Sequence, residues 1–203
     1  MKHIVLLFLC AATLALDASA QNAPMPAAGT KSAGGAATGG TPPAAAKKSF
    51  PGGDIHTLLA LADSLQFQLK MGEHITSKFH ETDPALAAFG NPIRKETTDM
   101  WTPMVDMATA GGVEGKKIPL DMSKNDKANL AKLNTIKDEK KWTLAFFEFF
   151  AKEAKKNAKA AESGIKALTD PNLKAWAEKA GAMLNTQAEQ IEGKFKEIKS
   201  AKK

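Results

Sequence analysis

The chain has 203 residues, with 28 lysines and arginines against 22 aspartates and glutamates, giving a formal charge of +6. It has no tyrosine, and its single cysteine, Cys10, lies in an N-terminal apolar run. A disulfide framework and thiolate chemistry are therefore excluded from the body of the protein.

Residues 1–20 are expected to be a secretory signal peptide. Lys2 supplies the positive start, Ile4 to Leu16 form the apolar run, and Ala18-Ser19-Ala20 fits the small-x-small cleavage pattern. The run is too short for a stable membrane anchor. Cys10 sits inside it after Leu9, which does not fit a lipoprotein signal. Residues 21–50, including "SAGGAATGGTPPAAAKK", carry too little apolar bulk to offset the entropy of ordering. They are expected to form a disordered Ala/Gly/Pro-rich tether. Residues 51–203 remain for one domain with one core.

After Phe50, Val and Ile are sparse, while Ala, Lys, Leu and Glu dominate, a composition that favours helix. The first stripe, Ile55, Leu58, Ala62, Leu65, Leu69, Gly72, Thr76 and Phe79, advances by threes and fours and predicts an amphipathic helix with Asp54 as its N-cap. "DPALAAF" at Asp83 and "DPNLKAW" at Asp170 then repeat one pattern, Asp-Pro-x-Leu-x-Ala-aromatic. Asp accepts from orphan helix N–H groups, and Pro at the first helical position has no N–H to leave unpaired. Each copy predicts a tight turn and the start of the second helix of a hairpin. The second helix's stripe runs from Leu86 and Phe89 to Met104 and Met107, with a restart expected at Asn91-Pro92 and a kink at Pro103. Between the hairpins lies "AGGVEGKKIPLDMSKNDKANLAKLNT", of crossover length, with a short helix expected near 126–133. A third long helix is expected over 138–168, and a fourth from Pro171.

The pattern predicts an all-α four-helix bundle of two hairpins joined by a crossover linker. Within "FFEFF", Phe146, Phe149 and Phe150 fit the third helix's buried face while Phe147 points elsewhere; the cluster is read as core, with a ligand groove or dimer contact at Phe147 as the alternative. His56, His74 and His80 all lie on the first helix, with no two spaced three or four apart. No Glu-x-x-His pair, nucleophile elbow, P-loop or dinucleotide fingerprint occurs. No catalytic residue, metal ligand set or cofactor is assigned. Polar residues interrupt three apolar stripes: Thr97 in the second helix, Asn157 and the neighbouring Glu153 in the third, and Gln187 in the fourth. Buried polar groups need partners, so these are expected to form an internal hydrogen-bonded layer, either a register device or the remnant of a ligand centre.

Over about residues 54–200 the chain resembles the secreted bacterial ferritin-like domain of unknown function often labelled "predicted outer membrane protein". The features that carry the resemblance are the leader and tether, "DPALAAFG", "KKIPLDM", "KKWTLAFFEFF" and "DPNLKAWAEKA", in that order. The resemblance implies a ferritin-like fold and three histidines. These fall at Thr97 after Glu96, at Ala154 after Glu153, and at Gln187, so all three histidines are replaced while both acids remain.

The function expected is that of a non-enzymatic exported envelope protein, periplasmic or outer-membrane-associated. It would bind a protein partner or an anionic envelope component, and neither nucleic acid nor a spanning role is expected. The alternative is a metal-binding or oxidoreductive ferritin-like bundle.

Overall fold

A computed structural model describes residues 49–201; the predicted signal peptide and nearly all of the predicted tether lie outside the described residues. Among the described residues there are five α-helices and no strand: α1 (Gly52–Phe79), α2 (Pro84–Ala110), α3 (Lys124–Leu133), α4 (Glu139–Ile165) and α5 (Pro171–Ser200). A single 3-10 turn covers Gly115–Lys117.

The repeated Asp-Pro pattern acts as the sequence suggests. Asp83 caps α2 by accepting from the Leu86 N–H at 3.0 Å. Asp170 caps α5 by accepting from the N–H groups of Asn172 and Leu173. Ser123 and Asp138 cap α3 and α4. α2 runs unbroken through both Pro92 and Pro103, so the expected restart at Asn91-Pro92 is not an end of the helix. Near the second proline, the Trp176 indole donates to the Met100 carbonyl at 3.3 Å and ties α5 to α2.

α1 and α2 form one hairpin and α4 and α5 another, and each pairs extensively along its length. Contacts between the hairpins fix the helix directions. The Phe67 ring meets Phe149 and Phe150, and Phe79 meets Trp142, so α4 runs opposite to α1. α5 therefore runs the same way as α1. The crossover carries the chain from the end of α2 to the start of α4. Its Asp126 lies near both Asp63 of α1 and Lys156 of α4, and Asn134 accepts from the Trp142 indole at 3.2 Å. α3 buries no residue fully, yet Leu130 and Leu133 pack against the core.

These neighbours surround α1. Ser64, Leu65, Gln66, Phe67 and Gln68 are five consecutive residues, and all are buried. Successive residues in a helix turn through about 100°, so five in a row cover the whole circumference. The α1–α2 seam is tight where glycines meet. A Cβ on Gly90 would lie 2.7 Å from the Gly72 carbonyl oxygen and 2.7 Å from the Thr76 hydroxyl. Phe67, Phe146, Phe147 and Phe150 fill the space between α1 and α4 and are almost wholly inaccessible. Burying each side chain contributes about 2–3 kcal/mol. Phe147, which falls off the expected buried stripe, is fully buried as the core reading of the cluster requires, with its ring 6.0 Å from Phe89 of α2. α4 enters the groove between helices, so two of its faces are covered. Phe149 is the partly exposed member of the cluster.

Asp54 is also reassigned. α1 begins at Gly52, and the Asp54 carboxylate reaches across to the α4–α5 turn. It accepts from the Thr169 and Asp170 N–H groups, at 3.1 and 2.8 Å, and from the Thr169 hydroxyl at 3.0 Å. Burial pushes its pKa up, but these donors outweigh burial and hold it below the ordinary value. Such a group stabilises the fold above its unfolded pKa of about 3.9, and that contribution is lost as pH falls through the lower folded value.

Two outcomes follow for stability. Asp54→Ala should cost about 2 kcal/mol by leaving buried donors unpaired, and should flatten the pH dependence of the urea midpoint below about pH 4. Gly90→Ala should cost about 1–3 kcal/mol by forcing the α1–α2 backbones apart. Gly193→Ala, at an exposed position of α5 with nothing within 4 Å of the added carbon, should instead stabilise by about 1 kcal/mol. Equal effects at the two glycines would contradict the close-packed seam.

Candidate functional site

The residues that interrupt the apolar stripes fall into two groups. Thr97 and Gln187 are fully inaccessible. Glu96, one residue before Thr97, sits at the surface of α2 and turns its carboxylate back to accept from the Gln187 amide at 3.0 Å. A carboxylate oxygen accepts, so Gln187 must present its NH2 to Glu96 and keep its carbonyl inside. Glu153 and Asn157 lie at the margin of the core. Glu153 pairs with Lys156 of its own helix at 2.9 Å. Neither joins the Glu96–Gln187 pair by a hydrogen bond. Ala154, where the resemblance places a histidine, is fully buried.

Gln68, which sequence periodicity does not single out, belongs with the inner group. A Cβ on Gly72 would lie 2.9 Å from Arg94 Cγ, so these residues face each other across the α1–α2 seam. Four residues back along α1 from Gly72 is Gln68, and three forward along α2 from Arg94 is Thr97. The helices are antiparallel, so both steps go the same way, by about 6 and 4.5 Å. Gln68 and Thr97 therefore lie at one level, and the Glu96–Gln187 bond brings α5 to it. Gln68 is fully inaccessible, and neither its amide nitrogen nor its oxygen has a protein partner. The Thr97 hydroxyl and the Gln187 carbonyl oxygen are also buried without one.

Thr97 differs from most of the helical threonines. Thr76, Thr98, Thr109, Thr143 and Thr186 each donate to the carbonyl four residues earlier. The Thr97 hydroxyl makes no such bond.

The histidines are separate from this layer and from one another. His56 and His80 are exposed. His74 is half-buried, stacked on Phe146 at 5.4 Å and 22°, with Trp142 at 5.6 Å. Among the described residues no three His, Cys, Asp or Glu side chains are grouped to hold a metal ion. No helix among them is long and apolar enough to cross a membrane.

The fold thus defines an all-helical bundle protein with a neutral polar layer in its core. The chain belongs to the family described as a domain of unknown function, DUF4142, which it matches over residues 39–193. No curated protein and no solved structure matches it.

Burial, and then Lys78, lower the pKa of His74 from its ordinary 6.5. Below about pH 6.5 the unfolded chain takes up this proton before the folded one does, so stability falls with acid. The urea midpoint should drop between pH 7 and pH 5, and His74→Phe should lessen the drop. An identical drop in the variant would show that the imidazole is not the group responsible.

Proposed function

We propose that this chain is an exported, non-enzymatic envelope protein whose α4 side docks on an anionic lipid surface. On this reading residues 1–20 are the export signal, and the two hairpins with their lengthwise crossover are a ferritin-like arrangement used as a scaffold. The observation that carries the reading is the division of charge. Residues 52–110 hold four basic and eight acidic side chains, whereas residues 111–201 hold eighteen and thirteen. The α1–α2 hairpin, turn included, thus carries a net charge of −4, and the remainder from the crossover through α5 carries +5.

Within the basic part, Lys141, Lys152 and Lys159 are exposed on α4. At about 100° per residue they fall within about 20° of one another around the helix. None of the three forms an ion pair among the described residues, whereas Lys155, Lys156 and Lys166 are paired with glutamates. Unpaired lysines in one stripe give up no internal contact when they meet an external anion. Near an anionic leaflet each contributes about 1 kcal/mol, and the attraction decays over a Debye length of about 8 Å at physiological salt.

Sedimentation with phosphatidylglycerol vesicles tests the reading, with the chain from Gln21 onward. Binding is expected at low salt, is expected to weaken sharply toward 0.5 M salt, and is not expected on phosphatidylcholine. Reversing the three charges with K141E/K152E/K159E should reduce affinity more than tenfold. Absence of low-salt binding, or undiminished binding by the variant, would remove the proposal.

A further inference from the structure

We propose that the core of the bundle contains a bound-water site, in which one or two water molecules bridge Gln68 of α1, Thr97 of α2 and Gln187 of α5. Glu96 is the outer anchor of this site. The inference rests on three side chains from three helices, each with no accessible surface, at one level of the bundle. Together they present four buried polar atoms without a protein partner: Gln68 Nε2, Gln68 Oε1, Thr97 Oγ1 and Gln187 Oε1.

An unpaired buried polar atom costs about 1–3 kcal/mol. Four at one level would weigh heavily against a domain's usual stability of about 5–15 kcal/mol. Buried water relieves such a cost by making about three hydrogen bonds to groups of this kind. The inventory suits water. Gln68 supplies two N–H donors and a carbonyl, Thr97 a hydroxyl that can donate or accept, and Gln187 a carbonyl. A water can donate to the two amide carbonyls and accept from the Thr97 hydroxyl or the Gln68 amide. A carboxylate ligand has no place here, because the inward-facing acceptors would repel it. A di- or trivalent cation is equally unsuited, because Gln68, Thr97 and Gln187 carry no charge and the Glu96 carboxylate is engaged by the Gln187 NH2.

Glu96 sets the polarity of the site. By taking the Gln187 N–H it fixes which end of that amide faces inward, so the site receives an acceptor from α5. The Thr97 hydroxyl is available because it does not bond back along its own helix, unlike five other helical threonines.

The sign of a conservative substitution separates this arrangement from a core of simply unpaired groups. In the full chain, Thr97→Val removes the hydroxyl at nearly constant volume. If water bridges the layer, the unfolding equilibrium constant should rise about tenfold, and Q68L/T97V/Q187L should be more stable than the single variant because the remaining polar groups and the water leave together. A rise in stability on Thr97→Val would overturn the proposal. A hydroxyl rotated onto its own helix backbone would also cost stability on removal, so a second readout on the unaltered protein is decisive. The Gln68 side-chain N–H protons should show a nuclear Overhauser effect to water, with the sign of a long-lived bound molecule. Absence of that signal from an otherwise assigned Gln68 amide would overturn the proposal whatever the variants do.

Discussion

Everything in this domain is arranged around one helix that has no free side over its middle turn. From Ser64 to Gln68 every residue of α1 is buried, and a helix buried on all sides needs neighbours on all sides. One hairpin cannot supply them. α2 covers the Gly72 face and α4 covers the Phe67 face, while α3 with the rest of the crossover lies over the α1–α4 seam. The crossover is therefore part of the wall as well as a connection. Its hydrophobic contribution is modest side chain by side chain, because Leu130, Leu133 and Ile136 are only partly covered.

The same constraint decides what could be read from the sequence. Helix starts were legible because capping is local: Asp83 and Asp170 need only the next few N–H groups. The helical class and the crossover were legible from composition and spacing. Phe147 and Gln68 were not, since a stripe argument assigns a helix one buried face, and these residues occupy a second. The available signal was the scarcity of charge between Ile55 and Leu69, where Asp63 is the one acidic or basic side chain apart from His56. A helix without a charged face is buried all round, and its glutamines are then internal. Thr97 and Gln187 interrupt stripes that do face the centre, and the structure buries both. Glu153 and Asn157 interrupt a stripe at its edge, where length and flexibility let Glu153 turn to Lys156. Asp54 shows a further limit: its sequence context fits a cap, but its partners lie 115 and 116 residues away.

The polar chemistry of the domain is short-range and mostly neutral inside. The buried carboxylate, Asp54, is satisfied by backbone and hydroxyl donors. Six lysines pair with carboxylates along their own helices at the surface, as Lys95 does with Asp99 and Lys166 with Glu162. Such exposed pairs contribute little to stability, about 0–1 kcal/mol each. Their effect on the molecule is instead to cancel charge where they occur, which leaves the unpaired lysines of α4 as a feature of the outline. The core gains its specificity from shape, through the glycine seam and the phenylalanine cluster, and from the placement of a few amides.

The shared direction of α1 and α5 gives the domain a geometric property of its own. Its first helix starts at one end of the bundle, and its last helix finishes at the other. α5 has 30 residues and so is about 45 Å long. The two ends of the described bundle are thus set apart by stiff packed helices of fixed length.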